Sequence, residues 1–271
     1  MKFSLYLLFF ALAGTYVVAQ KSGGQNPHLM EPYGQVTLFA GGGVAYYMGD
    51  ISASSGNLGL GPAFALGGSY RLTERISARG EFRLYKVSGD SKNTNNPEKN
   101  LSFKTVNPDL MVSLQADLFP YSRRALVSPY GLLGLGVTYL NPKAEWEGTV
   151  YSLPKYRTEG VKYSRLPLFI TGGLGASVRI SRSWSAGLEL TGNFLLSDYL
   201  DDVSTVYPEF DQLIDPDISY ALSYRGSSQQ PGYIRGNPKS KDSYMMLTAK
   251  VIYSLPNPRY AKERKIMKCA K

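Results

Sequence analysis

The 271-residue sequence predicts an all-β protein, an eight-stranded antiparallel transmembrane β-barrel, and three observations point there. The first is a period of two that persists over membrane-spanning length. In LPLFITGGLGASVRISRSWSAGLELTGNFLL, residues 166–196, Leu168, Ile170, Gly172, Leu174, Ala176, Val178 and Ile180 alternate with Phe169, Thr171, Gly173, Gly175, Ser177 and Arg179. After Ser181-Arg182-Ser183 the alternation resumes with Trp184, Ala186, Leu188, Leu190, Gly192, Phe194 and Leu196. A two-residue period is a strand, and two strands about a tight turn are a hairpin. Strands that cover a core in water need about 5 or 6 residues, whereas a tilted strand crossing a bilayer needs about 9 to 11. These strands are of the second kind. The second observation is the N-terminus, where Lys2 precedes an apolar run over 5–13 and small residues near Ala19. That pattern is a secretory signal peptide, cut after Ala19, and Gln20 stands where a lipoprotein would carry cysteine. The third is that no later apolar run is long enough for a membrane helix, in a chain too polar on average for a helical membrane protein. A barrel hides its apolar residues in alternation and fits such a composition.

The elements follow in order. Residues 1–19 are the signal peptide and 20–34 a periplasmic segment; 35–255 form one barrel domain and 256–271 a tail. Period two and turn residues place strands at 35–47, 61–72, 76–87, 103–118, 129–140, the two halves of the 166–196 hairpin, and 243–255. Connections alternate in length. Residues 73–75, 119–128 and 181–183 are short; 49–60, 88–102, 141–165 and 197–242 are long. Short periplasmic turns opposite long outer loops belong to outer-membrane barrels, with both termini periplasmic. A soluble lipocalin-like barrel shares the period but needs no apolar outer face.

Each strand has two faces. Ile76, Ala78, Gly80, Phe82 and Leu84 oppose Ser77, Arg79, Glu81, Arg83 and Tyr85, and Leu110, Val112, Leu114, Ala116 and Leu118 oppose Met111, Ser113, Gln115 and Asp117. The charged face is the lumen. An eight-stranded barrel is only wide enough for its own side chains, so Arg79, Glu81, Arg83, Asp117, Arg179, Glu189 and Lys250 are expected to pair inside it and leave no open pore. Tyr46, Tyr70, Tyr130, Tyr139, Trp184 and Tyr253 lie near strand ends, as an interfacial girdle requires.

Chemistry has few candidates. Barrel hydrolases and acyltransferases use a serine activated by histidine, and the only histidine, His28, precedes the first strand on the periplasmic side. No catalytic residue, cofactor or metal is therefore expected. The longest loop is acidic, with Asp198, Asp201, Asp202, Glu209, Asp211, Asp215 and Asp217. Oxygen-rich clusters hold calcium, but no spacing here matches the helix-loop-helix motif, which leaves a solvated, hydrogen-bonded loop. Within it, 217–225 reads as a short helix with Asp217 as cap, Ile218, Ala221 and Leu222 on one face and Gly226 as stop, lying over the mouth as a lid.

The chain carries a formal net charge of +9, concentrated in the tail PNPRYAKERKIMKCAK. Pro256 and Pro258 end the last ladder, and Arg259, Lys262, Arg264, Lys265, Lys268 and Lys271 face Glu263 alone. Such a tail attracts anionic lipid headgroups, cell-wall polymers or an acidic protein partner, while nucleic acid is excluded by compartment. Cys269, the only cysteine, forbids an intrachain disulfide and leaves an intermolecular bridge or an incidental thiol.

The loops carry a resemblance. Tyr47-Met48-Gly49-Asp50, Asn100-Leu101-Ser102-Phe103, Asn141-Pro142, Thr158-Glu159-Gly160, DYLDDVSTVYP over 198–208 (Asp198, Tyr199, Asp201 and Asp202 among them) and RGNPKSKDSY over 235–244 (with Arg235, Asn237 and Lys239) resemble the PorG family of outer-membrane barrels, associated with the type IX secretion system of Bacteroidota. The likeness spans the mature chain except the tail. It implies an accessory role, tying a periplasmic ring of a PorK-like lipoprotein and its PorN-like partner to the outer membrane and its lipid. The basic tail, with Arg259, Lys262, Arg264, Lys265, Lys268 and Cys269, is then the candidate contact with that ring. Two other readings compete: a small transport or ligand-binding barrel, and a surface adhesin using loops 141–165 and 197–242.

Overall fold

In the computed structural model the described residues are 34–52, 59–94, 97–123, 125–226 and 229–256. The signal peptide, His28 and the tail with Cys269 lie outside them. Ten strands are present in chain order: β1 (Val36–Met48), β2 (Gly61–Arg71), β3 (Ile76–Asp90), β4 (Ser102–Asp117), β5 (Val127–Thr138), β6 (Lys143–Trp146), β7 (Thr149–Ser152), β8 (Leu168–Arg179), β9 (Trp184–Leu195) and β10 (Ser243–Ser254). Eight of them close on themselves. Each pairs antiparallel with its neighbour, β3 meets β4, and β1 meets β10 from Thr37↔Ser254 to Met48↔Ser243. Closure leaves the eight-stranded barrel without an edge, which lipid demands because no water is there to satisfy an open ladder.

The expected strands match these to within a few residues. Long strands have two parities, and burial follows them. Along β3, Ser77, Arg79, Glu81, Arg83, Tyr85 and Val87 are buried while Phe82 and Leu84 are exposed. Leu174 is 72 % and Leu133 67 % exposed, values that only a lipid solvent makes favourable for a ring of leucines.

One connection carries structure that the sequence reading did not assign. β6 and β7 form a hairpin in the third long loop, turning at Glu147 and Gly148, both with positive φ (48° and 75°), and Lys143 pairs with Lys104 of β4. A single turn of helix, α1 (Leu153–Tyr156), follows. The helix expected in the last loop is α2 (Pro216–Ser223), and its cap is Asp215 rather than Asp217: the Asp215 carboxylate accepts from Ile218 N–H, and Pro216 takes the first helical position, where no donor is needed. It ends at Ser223, before the expected Arg225.

Small residues on inward positions make room for large ones directly opposite on the neighbouring strand. A Cβ on Gly175 would lie 2.4 Å from the Tyr130 ring, and one on Gly136 2.5 Å from Phe169. Gly175→Val should therefore destabilise the barrel by about 1–3 kcal/mol, as overpacking does. The expected readout is a lowered midpoint for conversion from the compact to the extended band in heat-modifiability gels, with Tyr130→Ala partly restoring it.

Candidate functional site

The lumen is filled by charge in layers. At the short-turn end Arg71 pairs with Asp117 at 2.5 Å, and Gln115 links Asp117 to Arg79. At mid-height Arg79 and Lys250 each bridge the same two carboxylates. Arg79 lies 2.7 Å from Glu81 and 2.8 Å from Glu189, and Lys250 lies 3.0 Å and 2.6 Å from them. Phe39 presents its ring to both cations, and Tyr130 donates to Glu189 at 2.8 Å. Above them Arg83 pairs with Asp109 at 2.7 Å, donates to Asn193 and sits over Phe169, while Tyr244 donates to Asp109 and stacks on Tyr85.

Of the residues expected in the lumen, Arg79, Glu81, Glu189 and Lys250 meet in one cluster, whereas Arg83 and Asp117 pair elsewhere. Arg179 joins none of them. It ends β8 at the short-turn rim, half-buried, with no ion pair among the described residues. Tyr130 was expected in the lipid girdle and instead points inward, because its parity is that of Leu132 and Thr138, both buried. Trp184 and Tyr253 do meet on the outer face, their tilted rings 4.7 Å apart. Asp109 and Arg71 escaped the sequence reading, although Asp109 shares the parity of Met111 and Asp117.

The long loops close the other end as a folded cap. An apolar cluster runs from the upper lumen (Tyr47, Val87, Phe103, Leu195) into the loops (Ile51, Leu101, Leu140, Leu153, Leu200, Leu222). Polar bonds lock it. Tyr47 donates to Asp201 at 2.5 Å and lies 3.1 Å from Asp242. Arg235, fully buried, pairs with Glu159 at 3.0 Å and donates to the Asp202 carbonyl. Glu159 also accepts from Ser204 and Thr205 N–H, and Asp202 accepts from Thr158 and Tyr163. Asp198 accepts from Ser204, Tyr199 stacks on Tyr163 at 4.2 Å, and Asn237 donates its N–H to Asp50 at 2.6 Å and accepts from Lys239 N–H. Lys99 and Asn100 of the second long loop reach the Arg235 and Arg225 carbonyls. Asp201 and Asp242 share the Tyr47 hydroxyl while the other acidic side chains point to separate partners, and no group of three metal-ligating side chains converges among the described residues.

Residues 32–207 match the family described as outer membrane protein beta-barrel domain. The chain belongs to that family. The match ends inside the last long loop, and β10 beyond it completes the outer-membrane barrel. No curated protein matches the sequence. Similar solved structures include Neisserial surface protein A, 12% identical over 81% of this chain and 97% of its own (TM-score 0.43). OprG from Pseudomonas aeruginosa is 10% identical over 83% and 98% (0.41). Ail of Yersinia pestis, in complex with sucrose octasulfate, is 13% identical over 82% and 99% (0.40).

Burial sets the protonation of the cap of this outer-membrane barrel. It pushes the Asp242 carboxyl up to about 8, with Asp198 and Asp50 adding repulsion against the Leu200 N–H and Tyr47 bonds that hold it down. Burial and then the charge of Asp242 raise Asp201 well above the usual carboxylate range. Asp202 rises only to about 6, because Arg235 opposes the burial.

Two outcomes follow. Glu189→Ala leaves Arg79 and Lys250 half-paired and should cost about 3–5 kcal/mol in urea unfolding from micelles, whereas replacing Arg79, Glu81, Glu189 and Lys250 together by apolar residues of similar volume should recover most of that loss. In the cap, carboxyls protonated when folded and ionised when unfolded contribute stability that is lost as pH rises from their unfolded value, about 4, towards the folded one. That window closes near 6 for Asp202 and near 8 for Asp242. Amides of 197–242, corrected for intrinsic rate, should exchange more at about pH 9 than at about pH 5, and Asp201→Asn should flatten the upper part of that dependence.

Proposed function

We propose that this outer-membrane barrel is a non-enzymatic, partner-binding component of the type IX secretion apparatus, of the PorG type, which ties a periplasmic ring of PorK-like and PorN-like proteins to the membrane. One observation carries the reading. The stretches that resemble the PorG family lie far apart in sequence, yet Tyr47, Asp50, Asn100, Thr158, Glu159, Asp198, Asp201, Asp202, Arg235 and Asn237 meet in a single bonded cap. A likeness held by residues that build one object is a likeness of that object. The filled lumen supports a structural role, since layered side-chain pairs occupy the barrel interior.

If the cap seals the outer end, the ring is met at the other. Short turns there expose Arg75, Arg123 and Arg182, and the chain continues into the basic tail. The exposed arginines and the tail offer positive charge to an acidic partner.

A surface-binding reading draws on a different observation. The cap exposes Phe210, Ile214, Tyr220, Tyr233 and Ile234, with Phe210 and Tyr220 in ring contact at 5.4 Å. One experiment separates the two. Affinity capture of the tagged barrel from mildly solubilised outer membranes of its native cell should recover periplasmic ring lipoproteins, and deleting residues 256–271 should reduce that recovery while the barrel still assembles. Capture of the barrel alone, from a preparation whose ring stayed intact, would favour the surface reading. The same protein in a planar bilayer should give no stable channels.

A further inference from the structure

Lysines gather at one place on the outer wall. On the lipid-facing parity β3 runs Ile76, Ala78, Gly80, Phe82, Leu84 and then Lys86, while β4 follows Ser102 with Lys104 and continues through Val106 to Leu114. Register sets Lys86 opposite Val106 and Ser88 opposite Lys104, so the two lysines are diagonal neighbours, about 7–8 Å apart. Lys143 of β6 is the direct partner of Lys104. All three side chains are exposed. Like charges directly opposite on a sheet repel, and none of the three has a carboxylate within 4.0 Å among the described residues.

Height decides what neutralises them. Ten positions of a strand tilted by about 40° rise roughly 25 Å from Ile76 to Lys86, the height of the apolar band of a membrane barrel. Lys86 and Lys104 are therefore the first charges above the lipid tails, beside exposed Leu84, Val106 and Leu110. The acids on the same faces, Asp90 and Glu145, lie further out along β3 and β6, and Asp90 accepts from Lys92 N–H. Phosphates of a lipid headgroup sit at this level, and long lysine stems reach them while packing on the apolar wall.

We infer that Lys86, Lys104 and Lys143 form a binding site for the phosphate-bearing headgroup of a membrane lipid whose acyl chains lie on Leu84, Val106 and Leu110. The β6–β7 hairpin, tied to β4 at Lys104, supplies the third lysine. The site is independent of the secretion reading, since it faces lipid rather than ring.

The test uses the full mature barrel in nanodiscs of phosphatidylcholine doped with bisphosphorylated lipid A, with retained lipid counted by native mass spectrometry after partial delipidation. Lys104→Gln should weaken lipid A retention about fivefold, and Lys86→Gln/Lys104→Gln/Lys143→Gln on the order of a hundredfold, at about a factor of five per lysine near an anionic surface. The corresponding triple arginine variant should keep it. Heat-modifiability identifies variants that have folded, and Lys104→Gln alone decides if the triple variant does not. Retention unchanged by Lys104→Gln, or lipid A held no better than phosphatidylcholine, would overturn the proposal; so would displacement of lipid A by inorganic phosphate alone, which would mark a phosphate site rather than a lipid one.

Discussion

Everything in this barrel depends on where charge is allowed to go. Each strand has one face against hydrocarbon, so every ionic side chain within the band must turn inward, into a space only as wide as the side chains themselves. Arg71, Arg79, Arg83 and Lys250 meet Asp117, Glu81, Glu189 and Asp109, four cations with four anions. Balance is a condition of folding here, because an uncompensated ion in a low-dielectric lumen costs several kcal/mol. It is also a filling device: the guanidinium groups lie on Phe39 and Phe169, and inward glycines such as Gly136 and Gly175 supply the room.

The cap extends the same logic out of the membrane. Above the Arg83 layer the lumen presents an apolar surface, with Tyr47, Val87, Phe103 and Leu195 at its upper end, and such a surface must be covered. Loops that cover it surrender water to their own polar groups, which is why Arg235, Glu159 and Asp202 are buried and multiply bonded. The cap is thus a small core capped by a buried ionic knot rather than a set of free loops. Its weak point is the Asp201 and Asp242 pair around Tyr47, where two carboxyls face one hydroxyl and, among the described residues, no cation is paired with either.

The strands were legible because lipid on one side and packing on the other enforce a strict period of two over long segments. The inward partners were less so. Parity alone assigns Asp109 and Tyr130 to the lumen, but a tyrosine near a strand end also satisfies a girdle, and only the register that sets Gly175 opposite it shows the space it enters. Arg179 has the right parity and the wrong height, a coordinate that periodicity does not contain. The β6–β7 hairpin was signalled by Glu147-Gly148, yet four-residue strands give no period to read, and Asp215-Pro216 was the better helix start than Asp217 because a cap followed by proline wastes no donor. The cap's wiring joins residues from Tyr47 to Asp242 that no local pattern connects.

A barrel filled in this way has three surfaces left on which to act: the short-turn rim, the outside of the cap and the lipid-facing wall. The rim is cationic and continues into a basic tail, the cap carries exposed aromatics, and the wall carries a lysine cluster above an apolar band. These are different chemistries facing different media, and the rigid lumen between them fixes their separation. The eight charges buried in the lumen are matched to one another, so the groups that remain to meet other molecules are those on the three outer surfaces.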